Sequence, residues 1–446
     1  MTEPVAPAAP NVGRMDAASL LEAWPILDAE ERVEGFELLD SATAADFFLG
    51  LPTREQADLI TELGIDRSRA WVRLLAPDDA ADLIQSFSED KRTAVLRLLD
   101  PAAYREVLAL LVYAEDAAGG LMNPRYMRLR PDITVEVAIR YLRRQAIRGI
   151  EVIDYAYVLD PGMKLLGVVS FRELFAAAPD RLVEDVMERD LVTVSEETDQ
   201  EAVARVLRDE GHLAIPVVDA DGRMKGIVTA DDIVDVLQEE ATEDIQKIGG
   251  TEALDEPYLQ ISLWRMVRKR GVWLSVLFVG QMLTATAMGV FEDQIAQALV
   301  LTLFIPLIIS SGGNAGSQAA TLVIRAMALG EVRMRDWWRI VRREVAVGLM
   351  LGAALGIIGL LRIIVWESVA HSYGEHFLLV GYVIAISVVG VVLTGTLAGS
   401  MLPLVLRRLG FDPASASAPF VATLVDVTGV VIYFSVAAIL LKGSLL

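Results

Sequence analysis

The stretch Phe304–Arg325, FIPLIISSGGNAGSQAATLVIR, begins as an apolar run and is then punctuated by Pro306, Gly312, Gly313, Asn314, Gly316, Ser317 and Gln318. It reads as a membrane helix with a polar break. In hydrocarbon every backbone N–H and C=O needs a partner, so such a break survives only where it is buried in protein or lines a water-filled path. Broken helices at membrane depth often mark ion and substrate sites. The competing reading is a close helix crossing, in which the glycines only let two backbones approach. Asn314 and Gln318 weigh against it, because their amides are costly to bury unpaired and, four residues apart, share one helix face.

The rest of the 446-residue chain divides sharply by charge near residue 260. Residues 1–260 hold 52 of the 61 acids and 26 of the 40 Lys and Arg, a net of −26, whereas the remainder holds 9 acids and 14 bases. An acidic, water-soluble half is thus joined to an apolar, slightly basic half. The negative excess opposes nucleic-acid phosphates and favours cations as ligands. With no cysteine, disulfides and thiolate metal sites are excluded.

Residues 1–14, rich in Pro and Ala with no basic flank, read as a disordered tail rather than a signal peptide. Residues 15–121 read as a helical domain in which a unit recurs: LLDSATAAD (Leu38–Asp46), LLAPDDAAD (Leu74–Asp82) and LLDPAAYRE (Leu98–Glu106). Each looks like a helix end, an N-cap and a new helix start, and stacked short helices make an α-superhelix. Asp46, Asp78, Asp79 and Asp82 are assigned to helix starts, where capping alone could explain them.

A second repeat pairs AYVLDPGMKLLGVVSFREL (Ala156–Leu174) with IPVVDADGRMKGIVTADDI (Ile215–Ile233). Both run strand, turn, strand, then a Ser or Thr helix cap with an acid three residues on. Together with their upstream strand-and-helix segments they resemble a tandem pair of cystathionine-β-synthase (CBS) modules, placed at 122–185 and 186–240. The resemblance implies a regulatory sensor with an adenine nucleotide such as ATP as a candidate ligand. Thr229 and Asp232 match the ribose-contacting Ser/Thr-x-x-Asp pattern, whereas Ser170 is followed by Glu173.

From Asp231 onward the sequence predicts a long connecting helix, interrupted near Gly249–Pro257. Its acids Asp232, Asp235, Glu239, Glu240, Glu243 and Asp244 recur at spacings of three and four, a negative stripe that destabilises a helix unless something neutralises it. A solvated face is one reading and a hard divalent cation the other. With Asp46, Asp78 and Asp82, and with Glu197, Asp199 and Glu201 of the second CBS half, carboxylates occur on three modules.

Arg265, Arg268, Lys269 and Arg270 form a basic collar before the first of five expected spans: Gly271–Val290, Ile295–Met327, Val345–Trp366, Phe377–Leu406 and Pro419–Leu441. Arg333 to Arg343, and Arg407 and Arg408, mark further cytosolic loops, so the amino end lies in the cytosol and the carboxyl end outside. The connections carrying Glu292 and Asp293, and Glu367, His371 and Glu375, belong outside. Gly348, Gly352 and Gly356, and Gly395 and Gly399, repeat every four residues as close-packing faces.

Asp426, in PFVATLVDVTGVVIYF, is the one carboxylate within an apolar span; placing it there costs roughly 2.5–3.5 kcal/mol, so it should face a partner or a water-filled path. Ala422 and Thr423, one turn earlier, could turn backbone carbonyls to the same path. An oxygen-only site selects hard cations, and Mg²⁺, which keeps its waters, suits a site with few carboxylates.

YAEDAAGGLMNP (Tyr113–Pro124), the CBS pair, ATEDIQKIGG, PLIISSGGNAGSQ and PFVATLVDVTG, in this order, resemble the MgtE family of Mg²⁺ channels. The resemblance implies a multidomain membrane protein: α-superhelical N domain (15–121), tandem α+β CBS pair, connecting "plug" helix (241–268) and an all-α five-span pore domain (269–446). It implies a homodimer in the cell inner membrane, with a pore on the two-fold axis lined by spans two and five. Gly313, Asn314, Ser317 and Gln318 on one, and Ala422, Thr423 and Asp426 on the other, would then face hydrated Mg²⁺. Cytosolic Mg²⁺ would bridge Asp46, Asp78, Asp82, Glu197, Asp199, Glu201, Asp232, Asp235, Glu240, Glu243 and Asp244 and close the pore. Gly211 and His212 depart from the acidic and aromatic positions expected before the IPVVD strand, which weakens one cytosolic ion site.

Three other classes fare less well. An intramembrane metalloprotease needs H-E-x-x-H, which the chain lacks, so no enzyme is expected. An anion channel is disfavoured by an intramembrane Asp without a nearby base. A coupled secondary transporter stays open, because sequence does not show whether a second ion moves.

Overall fold

In a computed structural model the structure describes residues 16–146, 154–254, 258–259, 261–371, 373 and 376–442. The expected amino-terminal tail and Glu375 lie outside the described residues. The chain divides into two compact units, one up to Gln238 and one from Glu239 onward.

The first unit opens with short helices, among them Ala29–Glu37, Ser41–Leu49, Thr53–Leu63, Pro77–Gln85 and Pro101–Leu110. Aspartates fix their starts. Asp28 and Glu31 form a reciprocal capping box, Asp40 accepts from the Ala42 and Thr43 amides, and Asp100 accepts from those of Ala102 and Ala103. The recurrent Leu-Leu units therefore do join one helix to the next. Asp46 departs from its expected place: it sits exposed in the last turn of Ser41–Leu49, because Asp40 takes the cap. Asp78 and Asp79 occupy the first turn of Pro77–Gln85, whereas Asp82 also departs from its expected place: it lies in the last turn, because the helix already starts at Pro77. Buried rings of Trp24, Phe36, Phe47 and Phe48, with partly buried Trp71, hold these helices; Trp24–Phe47 and Phe36–Trp71 meet edge-on at 5.0 Å.

Two three-stranded sheets follow in the same order: β1 (Arg128–Leu129), β2 (Tyr155–Leu159) and β3 (Leu165–Ser170), then β4 (Val194–Ser195), β5 (Ala214–Val218) and β6 (Met224–Thr229). In each the first strand pairs parallel with the second and the second antiparallel with the third. The sequence repeat is therefore a structural repeat down to its register shifts, at Val158/Leu159 and Val217/Val218. The halves join where the Asn123 and Ile227 backbones exchange hydrogen bonds of 2.7 and 3.0 Å. The segment Tyr113–Pro124 is laid along the second half: the Tyr113 hydroxyl donates to Glu196 at 2.8 Å and the Ala118 amide to the Thr198 carbonyl at 2.7 Å. Gly211, the departure noted above, ends the helix Gln200–Glu210 at φ 69°, a left-handed cap that an acidic side chain would strain.

Among the described residues, the second unit contains five helices long and apolar enough to cross a membrane: Leu263–Val290, Ile305–Ala328, Trp337–Ala370, Phe377–Arg408 and Ala418–Leu440. The last, at 23 residues, still reaches about 35 Å, enough for the hydrocarbon layer.

The second span corrects the expected break. Ile305–Ala328 is one continuous helix through Gly312, Gly313 and Gly316, and the irregular segment precedes it as the 3-10 turn Leu299–Phe304, ahead of Pro306. The glycines serve a crossing instead. A Cβ at Gly395 or Gly399 would collide with the carbonyl oxygens of Gly312 and Gly316, and one at Gly316 would lie 2.8 Å from Val421 Cγ1. Helix backbones in contact give van der Waals packing that lipid cannot replace. Gly348, Gly352 and Gly356 likewise meet Thr396, Val389 and Ala385 on the fourth span, as their spacing suggested.

Gly399→Leu should therefore destabilise the membrane unit by about 3 kcal/mol, since the obstacle is backbone and cannot swing aside. Gly289→Ala, where a Cβ meets nothing within 4 Å, is the control. Thermal unfolding in detergent compares the two, and equal midpoints would mean that this crossing is not close-packed.

Candidate functional site

The two faces of the second span do different things. Gly312 and Gly316 pack where the fourth span crosses beside Val425 and Val421 of the fifth, whereas Gly313 turns to Ala422 and Asp426: a Cβ there would sit 3.4 Å from the Ala422 Cβ and 4.0 Å from Asp426 Oδ1. Ser317 donates to the Ala418 carbonyl at 3.1 Å, tying the same spans one turn along. Asn314 and Gln318 are exposed. Thr423 spends its hydroxyl on the Pro419 carbonyl at 2.9 Å. The structure thus brings Gly313, Ser317, Ala422 and Asp426 to one seam.

Asp426 is half-buried, and the partner given to its carboxylate is the Gln281 amide of the first span, whose Nε2 donates to Oδ2 at 2.6 Å. Arg362, a base within the third span, instead stacks over Trp366 at 5.5 Å. The donor beside this carboxylate is a neutral amide rather than a base, an arrangement suited to a cation.

The expected regulatory carboxylates are scattered among several roles. Asp199 caps Gln200–Glu210 through the Glu201 amide at 3.0 Å, Glu201 faces Arg205 at 3.6 Å, and Glu197 and Asp235 are exposed. Asp78 is buried in its helix start and Asp82 half-buried one turn on. Asp232 accepts from the Thr229 hydroxyl at 2.6 Å and from the Thr229 amide at 3.1 Å. Burial pushes the Asp232 carboxyl up to about 6, against those hydrogen bonds and with Asp231 and Asp79 adding repulsion. Ser170 and Glu173, at the matching place in the first half, close a capping box on each other. Among the described residues, no group of three or more His, Asp or Glu side chains is arranged to hold a metal ion.

The connecting helix Ala230–Ile248 stops before Gly250, whose φ of 76° turns the chain. Its last turns belong to the membrane unit. The Lys247 ammonium meets Glu243 and, at 2.7 Å, Asp412 in the loop between the fourth and fifth spans. A Cβ at Gly250 would lie 3.0 Å from both Pro419 Cγ and Trp273 Nε1, and Trp273 donates to Ser417 at 3.3 Å. Burial by itself would lower the Lys247 ammonium, but its bonds to Asp412 and Glu243 hold it above the ordinary lysine range. Asp244 is pushed up to about 6, first by burial and then by Asp412 and Glu240.

Family models match residues 305–436 as MgtE, divalent cation transporter, 15–116 as the MgtE intracellular N domain, and 118–180 and 183–239 as CBS domains. The magnesium transporter MgtE of Thermus thermophilus is 42% identical over 430 residues, 95% of this chain and 93% of that protein. The chain belongs to the MgtE family. A second MgtE, from Enterococcus faecalis, is 35% identical over 76% of this chain and 72% of its own. A crystal structure of the cytosolic domain of the Mg²⁺ channel MgtE in complex with ATP is 40% identical, covering 50% of this chain and 90% of that one, with a TM-score of 0.47. The MgtE N domain, the CBS pair and five spans thus occur in the expected order, and the family is one of magnesium transporters.

Sequence reasoning missed three neighbours of the MgtE candidate sites: Gln281, Lys247 and Asp412. Each carried a signal. Gln281 is an amide in an apolar span and Lys247 the one base in an acidic helix, but neither pairing follows from spacing, since their partners lie 145 and 165 residues away.

The two raised carboxyls give this MgtE chain a pH dependence. A folded pKa near 6 against an ordinary 3.8 favours the neutral form in the folded state, so the stabilisation is full below about pH 4 and lost as pH rises through 6. Without divalent cations, lowering the pH from 7 to 5 should stabilise the protein by about 1–2 kcal/mol after discounting partial exposure. That is about 2–8 °C in thermal midpoint, and a midpoint that falls over this range would contradict it.

Proposed function

We propose that the protein is a Mg²⁺-selective channel that admits Mg²⁺ to the cytosol down its electrochemical gradient and is closed by cytosolic Mg²⁺. The observation that carries this reading is Asp426: a carboxylate in the first half of the apolar helix Ala418–Leu440, paired with no base among the described residues, at the seam with Gly313 and Ala422. Mg²⁺ gives up its waters reluctantly, so one carboxylate with carbonyls and amides nearby suits an ion held through its hydration shell. Thr423, Asn314, Ser317 and Gln318 complete the proposed lining.

One chain offers few ion-facing oxygens, and Asn314 and Gln318 are exposed amides in an apolar setting. Both features favour a homodimer in the cell inner membrane, with the pore on its two-fold axis, the amino end cytosolic and the carboxyl end outside. Mass analysis in mild detergent should give a dimer. A monomer that still conducts after reconstitution would refute the shared-axis pore.

The proposed gate is Mg²⁺ bound among Asp46, Asp78 and Asp82, Glu197, Asp199 and Glu201, and Asp232, Asp235, Glu240, Glu243 and Asp244. ATP is the proposed ligand of the CBS pair, where the Thr229–Asp232 hydrogen bonds present a carboxylate suited to ribose hydroxyls. The deciding experiment is Mg²⁺ flux into liposomes with Na⁺ and H⁺ gradients collapsed. Flux that follows the Mg²⁺ gradient alone supports the channel; flux that stops points to a coupled transporter.

A further inference from the structure

We propose that Gln281 is a positioning residue for the Asp426 carboxylate, so that the first span, as well as the second and fifth, sets how this transporter holds its cation. The proposal rests on the reading of Asp426 as the cation site.

A glutamine amide facing hydrocarbon is costly unless it finds a polar partner, and the partner here is Asp426 Oδ2, 2.6 Å from Nε2. The nitrogen end must face the carboxylate, because the carbonyl end would repel it. A lysine or arginine at this place would cancel the charge on Asp426. The amide instead fixes the carboxylate while leaving it negative, and leaves Oδ1 on the side of Gly313. The approach is built into the sequence one residue earlier: at Gly280 an added Cβ would lie 2.8 Å from Thr423 Cγ2, so only glycine lets the first span come this close to the fifth. A carboxylate with one oxygen fixed offers a cation's waters a preset acceptor, and that presetting discriminates between ions that dehydrate with different reluctance.

The test uses the full chain in liposomes. Loss of one charge-assisted hydrogen bond in Gln281→Leu should raise the half-saturating Mg²⁺ concentration about tenfold, with maximal flux changed less than about twofold, and should narrow discrimination against Ca²⁺. Gly280→Leu, which pushes the spans apart at Thr423, should reproduce that shift. Gln281→Lys should abolish Mg²⁺ flux, because its ammonium reaches the carboxylate and occupies it. In an Asp426→Asn background, with Mg²⁺ block of Na⁺ current as the affinity readout, adding Gln281→Leu should change the block by less than about twofold. If Asp426→Asn handles Mg²⁺ as the parent does, the cation-site reading fails and takes this one with it. If Asp426→Asn is impaired but Gln281→Leu and Gln281→Lys match the parent, or Gln281→Leu shifts both backgrounds equally, the positioning role is overturned and the cation site stands.

Discussion

Asp426→Ala should lower the apparent Mg²⁺ affinity of the reconstituted protein by about a hundredfold, the equivalent of losing roughly two charge-assisted contacts of about 1.5 kcal/mol each. The fold should survive, because the side chain is half-buried and its partner, Gln281, is itself exposed. Asp426→Asn separates charge from shape. It retains an acceptor for the ion's waters but no charge, so an electrostatic site should lose nearly as much as in the Ala variant. Flux of Mg²⁺ against Na⁺ in liposomes checks both. An Ala variant that carries Mg²⁺ with the selectivity of the parent would remove Asp426 from the filter. Protonation has the same consequence as the Asn substitution, so conduction should also fall in acid.

Neutralising Asp235, Glu240 and Asp244 together should leave the pore open at cytosolic Mg²⁺ levels that close the parent, moving the closing concentration up by about tenfold or more, or roughly 1.4 kcal/mol. These acids repel one another along the connecting helix, and Asp244 is crowded further by Asp412. A ligand shifts a two-state equilibrium only by its differential affinity, so the closed form must hold Mg²⁺ better than the open one. The same substitutions should stabilise the protein when Mg²⁺ is absent, since fewer like charges remain. Lys247 limits that gain, because it already supplies one cation to Glu243 and Asp412. Proteolysis of the linker and patch current across a Mg²⁺ series would read both effects. Should the triple variant keep the Mg²⁺-dependent protection and closure of the parent, the stripe is a solvated face and the gate lies elsewhere.

Much of this architecture is legible in the sequence. The change in charge near residue 260 separated soluble from apolar sequence because water and hydrocarbon impose opposite compositions. The CBS repeat was visible because two copies of one strand, turn and strand pattern need the same turn chemistry, and β2–β3 and β5–β6 do share their register. Asp426 stood out by cost alone, since a carboxylate in an apolar span demands a reason. Asp46 was misplaced because a helix start is decided by which acid takes the cap, and Asp40 comes first.

The glycine-rich run of the second span marks the division most clearly. Its glycines and amides identified a special membrane segment, and the sequence could go no further than that, because a break and a close crossing use the same small residues. The tertiary structure decides for an unbroken helix, since the carbonyls of Gly312 and Gly316 lie against Gly395 and Gly399 and keep their helical bonding. It also divides the run by face, setting Gly312 and Gly316 where the fourth span crosses beside Val425 and Val421 of the fifth, and turning Gly313 and Ser317 to Ala422 and Ala418 of the fifth. Periodicity says which residues share a helix face but not which helix that face meets. For the same reason, only the folded chain could bring Gln281 to Asp426 and Lys247 to Asp412.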